Sequence, residues 1–288
     1  EMRNCCLLFA FFAAMMVAGC AKLQQTRSDR PLLPPARMPP DSVAVEVAYV
    51  RQPISEMERD DSLWQSADEQ SLPFELRRKL ADNGLRAGIL GVQLPAAVRQ
   101  LLDSGQEALQ QRDEASVAEN EFSYRHRRLH VRTGRRGKIV ASKTFPTLTV
   151  LTREENSVRG HTLSQAQCLF GLRAFPLGDG RVRLELNPEI EHGETKNQWV
   201  GEEGTLVQKL NKEKLNFDAL HIETLLSPGQ TLLIGPTPDI KGLGEYFFTE
   251  TAATGTQRRY LLVRLAQTQL DDLFGTNTTP QALTTPGD

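Results

Sequence analysis

The hydrophobic pattern changes period along the chain. Val43, Val45, Val47 and Tyr49 alternate with small or polar residues, the period-two signature of a half-buried strand. Helical spacing comes next. Asp61 and Ser62 cap a short helix through Leu63 and Trp64, with Gln65 completing a capping box from Ser62. Pro73 opens a second helix whose Leu76 and Leu80 share a face, and Asn83-Gly84 stops it. Leu85 to Val92 is short, apolar and glycine-interrupted, which predicts a strand. Pro95 suits the first turn of a helix carrying Val98, Leu101 and Leu102. Residues 42–116 therefore predict a small mixed α/β module. The polar stretch from Gln106 to Glu121 predicts a helical bridge to a second domain.

From about 122 to 274 the period returns to two. The predicted strands are Leu129–Val131, Lys138–Ala141, Thr147–Thr152, Gln167–Phe175, Arg181–Leu186, Phe217–Leu225, Thr231–Ile234, Tyr246–Thr249 and Arg259–Leu265. Gly178-Asp179-Gly180, Pro228-Gly229 and Gly235-Pro236 mark turns. Val182, Leu184 and Leu186 face one way while Arg181, Arg183 and Glu185 face the other, so this sheet has a wet side. Residues 193–214 are polar and glycine-containing and read as a long loop. The predicted fold class is α+β: a small mixed module (42–116), then a mainly antiparallel, sandwich-like β domain (122–274), then a disordered tail (275–288).

The N-terminus carries a different signal. Arg3 precedes an apolar stretch from Cys5 to Ala18, which is too short to span a bilayer as a helix and has the layout of a secretory leader. It ends in Val17-Ala18-Gly19-Cys20, which resembles the bacterial lipobox. The resemblance implies a signal peptide over 1–19 and a lipidated Cys20. It also implies attachment to the cell envelope, and Ala21 favours the outer membrane. Pro31, Pro34, Pro35, Pro39 and Pro40 exclude helix from the next stretch, so residues 20–41 read as a lipidated cysteine and an extended tether. At about 3.1 Å per residue it reaches up to ~60 Å.

Composition adds limits. A net charge of −2 gives no global pull toward nucleic acid. The cysteines are Cys5, Cys6, Cys20 and Cys168. Cleavage removes two and lipid takes one, which leaves Cys168 alone and forbids an internal disulfide. Its neighbours Leu169 and Phe170 mark Cys168 as a small buried hydrophobe rather than a nucleophile. No nucleotide loop, nucleophile elbow, Cys-x-x-Cys or His-Glu-x-x-His motif occurs. His126 and His130 lie in a strand pattern, where an i, i+4 pair is ~13 Å apart and binds no shared metal. Glu191, His192 and Glu194 read as solvated surface, and Asp271-Asp272 as an element end. No catalytic residue, metal or cofactor is predicted.

Arg125, Arg127, Arg128, Arg132, Arg135, Arg136 and Lys138 fall within fourteen residues. They read first as the wet face of a strand pair, with contact to anionic lipid or polysaccharide as the functional alternative.

Four ordered segments of the second domain resemble the C-terminal β domain of secretins, the ring proteins of type II and type III secretion. A basic-polar strand pair (Leu129-His130-Val131, then Lys138-Ile139-Val140) leads to Pro146. Gly178 through Ile190 comes second, as Gly-Asp-Gly-Arg-Val-Arg-Leu-Glu-Leu-Asn-Pro-Glu-Ile. Third is Pro228-Gly229-Gln230-Thr231-Leu232-Leu233-Ile234-Gly235. Last are Gly244-Glu245-Tyr246-Phe247-Phe248 and Tyr260-Leu261-Leu262-Val263-Arg264-Leu265. Gly235-Pro236 replaces the usual Gly-Gly, and the pattern leaves no room for long membrane-spanning hairpins. The resemblance implies a related β fold.

The expected role is that of a lipid-anchored envelope protein acting in binding or assembly, with an envelope protein or a further copy as partner and no nucleic acid. The alternatives are a ring-forming subunit of a secretion channel, and a hydrolase of envelope polymers that uses carboxylates or Cys168.

Overall fold

The computed structural model describes residues 42–54, 62–110, 126–154, 157–202, 205–252 and 255–268. Cys20, the tether, Arg125, Asp271, Asp272 and the tail lie outside the described residues.

Most of the described chain is strand, paired antiparallel in two six-stranded sheets. The first sheet contains β1 (Ser42–Pro53), β2 (Leu85–Leu90), β3 (Arg127–Arg132), β10 (Thr231–Pro236), β11 (Thr249–Ala252) and β12 (Gly255–Thr268), and its main path runs β2-β10-β12-β1-β3. The second contains β4 (Gly137–Val140), β5 (Phe145–Glu154), β6 (Ser157–Pro176), β7 (Val182–Glu202), β8 (Thr205–Asn216) and β9 (Ile222–Leu226). The mainly antiparallel α+β class expected from the sequence is what is found.

The predicted boundary near 116–122 does not separate two sheets. β1 and β2 come from the N-terminal side of it, yet β1 pairs with β3 and β12, and β2 pairs with β10. The alternating valines of β1 need apolar neighbours on both sides. Those neighbours are Leu129 and Val131 on β3, and Leu261, Val263 and Leu265 on β12.

One face of each sheet joins a common apolar core. Val43, Val45, Val47, Leu261 and Val263 enter it from the first sheet, and Cys168, Phe170, Leu172, Leu184 and Leu186 from the second. A short helix, α3 (Gly242–Phe248), adds Phe247 and Phe248, and Phe170 meets the Phe247 ring edge-on at 5.2 Å. The outer face of the first sheet has its own core. There Trp64, Tyr260, Leu233 and Leu262 pack with Val98 and Leu101 of α2 (Ala96–Gln110). Arg259 pins the layers: its buried Nη2 donates to Phe247 O at 3.1 Å and to Ala141 O just after β4.

Three local expectations change. Strand preference of Tyr and Phe predicts a strand over Tyr246–Thr249, but Gly242–Phe248 is helical and turns both phenylalanines into the core. Phe217–Leu225 is broken by a 3-10 turn at Asp218–Leu220, so β9 begins at Ile222. The predicted loop at 193–214 is a hairpin, paired from Glu189↔Asn216 to Glu202↔Thr205.

That hairpin is long, and it creates a fork. β6 and β7 pair from Pro176↔Val182 to Gln167↔Glu191. Beyond that rung both strands continue but separate. β6 pairs only with β5 over Ser157 to Ala166, and β7 pairs only with β8 out to Glu202, among the described residues. Left-handed backbone marks the split on both strands, at Gln165 (φ 49) and Gly193 (φ 74). Lys212 Nζ donates to Gln165 O across its base at 3.2 Å.

A second junction joins α1 (Phe74–Asp82) to the β5–β6 hairpin. Asn83, 1 % exposed, caps α1 through Nδ2 to Lys79 O (2.9 Å). The same side chain donates to Arg153 O (2.9 Å) and accepts from Arg153 N (2.8 Å), as a neighbouring strand would.

Candidate functional site

Strand alternation builds the site. Along β7, Val182, Leu184, Leu186 and Ile190 turn inward, so Arg183, Glu185, Asn187, Glu189 and Glu191 share the opposite face. β6 sets Arg173 opposite Glu185, Gly171 opposite Asn187, and Gln167 opposite Glu191. β4 adds Lys138 opposite Gly171, and β8 adds Lys214 opposite Glu191 and Asn216 opposite Glu189.

The result is an ordered ionic layer. Arg136 Nη2 contacts Glu189, whose carboxylate is almost wholly buried. Lys138 Nζ contacts one oxygen of Glu191, and Lys214 Nζ lies 3.5 Å from the other. Gly171 makes room for this packing, because a Cβ there would collide with the Glu189 carboxylate and Arg136 Nε. Beside the layer lies a cavity of ≈ 320 Å³, lined by Arg173, Glu185, Asn187, Asp218 and His221 among others.

The electrostatics reflect crowding. Burial lowers the Arg136 pKa and Arg173 adds to the effect, while Glu191 opposes it. Burial alone would raise the Glu191 carboxyl, but Lys138 and Lys214 outweigh it and hold the group below its ordinary value. Lys214 is pushed down, first by burial and then by Arg136. The arrangement holds fixed alternating charges rather than a nucleophile beside a base.

Cys168 faces the apolar core, fully buried, with its N–H donating to Ser142 Oγ at 2.9 Å. Burial pushes its thiol up to about 12, against smaller opposing effects of Ser142 and Arg259. A thiol held protonated and out of solvent is a poor nucleophile.

The described residues of the basic run do not converge. Arg127, Arg128 and Arg132 lie exposed on β3, an edge strand of the first sheet, and Arg128 donates to Gln267 Oε1 at 3.3 Å. Arg135 is exposed in the turn after β3. Arg136, just before β4, and Lys138, on β4, spend their charge on Glu189 and Glu191. His126 Nε2 lies 3.4 Å from Glu46 Oε2, and His130 stands across from Ala44. Glu191 and His192 are successive strand residues and point to opposite faces, and Glu191, expected as solvated surface, is instead largely buried between Lys138 and Lys214.

Sequence patterns alone do not single out Glu189, Lys214 or the Gly171 notch. The available signal is a glycine inside the apolar run Cys168-Leu169-Phe170-Gly171-Leu172, which flags a close approach in a strand. Among the described residues no helix is long and apolar enough to cross a membrane. Compared with known proteins, the chain matches no family model, no curated protein and no solved structure.

Proposed function

We propose that this is a lipid-anchored protein of the cell envelope, held through Cys20 at the outer membrane and facing the periplasm. Its β body acts by binding or assembly rather than catalysis. The lipobox-like Val17-Ala18-Gly19-Cys20 and the proline-rich tether support the anchor. The exposure of Arg127, Arg128 and Arg132 on β3 supports a contact with anionic lipid or polysaccharide.

The fork carries the assembly reading. Among the described residues, two adjacent strands each leave one edge without a ladder partner over many positions, and an open edge is a template for another strand. The two edges belong to different strands, so pairing β6 of one copy with β7 of the next is head-to-tail. Such contacts close into rings when the rotation allows. This favours the second reading, a ring-forming subunit of a secretion channel, over the hydrolase alternative.

The test places cysteines at His161 and Asn197, which face each other if the β6–β7 register continues across two copies. In membranes carrying the His161→Cys/Asn197→Cys chain, oxidation is expected to yield a ladder of covalent multimers on a non-reducing gel. Monomer alone, with each cysteine still reactive, would reject assembly through the fork. In a separate arm, Cys20→Ser is expected to release the protein from membranes or leave it unprocessed. A processed Ser variant that still sediments with membranes rejects the lipid anchor.

A further inference from the structure

The ladder between β7 and β9 sets two carboxylates face to face, with two further metal-ligand side chains just past its end. Glu185 stands directly across from Glu223, next to the inward pair Leu186↔Ile222. Just past the last pair, Leu186↔Ile222, Asn187 follows on β7 and His221 precedes β9. Ligand atoms of Glu185, His221 and Glu223 lie within 4.8 Å of one another.

Two carboxylates opposed across a ladder repel, so a cation belongs between them. Arg183 now fills that role. Its Nη1 contacts Glu185 and lies 3.7 Å from Glu223 Oε1, while its guanidinium stacks over the Phe175 ring at 4.2 Å. Asn187 supplies an independent pointer. Its Oδ1 is sealed from solvent and accepts no hydrogen bond, although Nδ2 donates to Asp218 Oδ1 at 3.2 Å. Asn187 lines the same ≈ 320 Å³ cavity as Glu185 and His221. Buried acceptors without a donor are rare, and a metal ion satisfies an amide oxygen as a donor does.

We propose that Glu185, Asn187, His221 and Glu223 bind a divalent metal ion of the Zn²⁺ class. Two carboxylates and one imidazole suit such an ion, and the amide oxygen completes a fourfold set. Metal–ligand bonds of about 2.0–2.2 Å need ligand atoms no more than ~4.4 Å apart, a little closer than the 4.8 Å within which those of Glu185, His221 and Glu223 lie. Arg183 competes with the metal. When the ion enters, the guanidinium gives up both carboxylates and keeps its place on Phe175.

The experiment uses the full chain in detergent, stripped with a chelator and titrated with Zn²⁺ against a chromophoric competitor. One bound ion is expected to weaken about tenfold or more in His221→Ala and in Glu223→Gln. Arg183→Met is expected to bind several-fold tighter, a gain that a purely structural role for these residues would not produce. Asn187→Asp adds a carboxylate and is expected to tighten binding as well, which keeps the test decisive should an alanine variant misfold. Absence of binding at millimolar Zn²⁺ overturns the proposal. So does binding indifferent to His221→Ala and Glu223→Gln, or binding weakened by Arg183→Met.

Discussion

Replacing Asn83 by alanine tests whether one side chain joins α1 to the β5–β6 hairpin. The side chain makes three hydrogen bonds, to Lys79 O, Arg153 O and Arg153 N, from a position 1 % exposed. Each such bond contributes about 1 kcal/mol net, and a buried partner left unpaired costs about 1–3 kcal/mol. Lys79 O also accepts from the Asn83 backbone, so the larger loss falls on Arg153. Asn83→Ala should cost about 2–4 kcal/mol, which moves a urea midpoint by on the order of 1 M. Hydrogen exchange adds a local readout, because the Arg153 amide should lose protection ahead of the β6–β7 ladder. Asn83→Asp keeps the acceptor for Arg153 N but sets a carboxylate against two carbonyls. That should raise its pKa, so the loss should shrink as pH falls. An Asn83→Ala protein with the parental midpoint and a protected Arg153 amide would refute the reasoning.

Gly171→Ala should destabilise by about 1–3 kcal/mol through the clash with Glu189 and Arg136, while Gly178→Ala, which meets nothing within 4 Å, should be neutral; urea unfolding compares them. Glu191 has a depressed carboxyl, so its stabilisation is complete above its unfolded value near 4.5 and is lost as pH falls through the lower folded value. Glu191→Gln should therefore flatten the acid limb of a plot of unfolding midpoint against pH. Cys168 should resist a thiol reagent in the native protein and react once urea unfolds it, with peptide mass spectrometry as the readout; rapid native labelling would contradict its burial.

Elements are legible in the sequence where apolar side chains fall on one face. Val43, Val45 and Val47, and Val182, Leu184 and Leu186, reveal their strands because one face of each is buried in the common core. β8 is hidden because Asn211, Lys212, Glu213 and Lys214 place polar residues on both faces, leaving pairing without a hydrophobic signature. α3 reads as strand because burial of Phe247 and Phe248 overrides their strand preference only in the folded chain. The charged residues of β7 are legible as a wet face, but their partners are not. Lys138, Arg173, Lys214 and Glu223 reach them from four other strands, through long-range register that no local pattern carries.

The pairing of Val43 with Thr268 has a consequence for synthesis. β1 leaves the ribosome early, but its β12 neighbour is among the last described strands to emerge. Contacts so distant along the chain form slowly, and the centre of the first sheet must wait for nearly all the intervening polypeptide. A nascent chain that cannot close its own middle stays open until β12 arrives. By the same logic, a stop codon before Gly255 would leave β1 and β10 flanking an empty central lane.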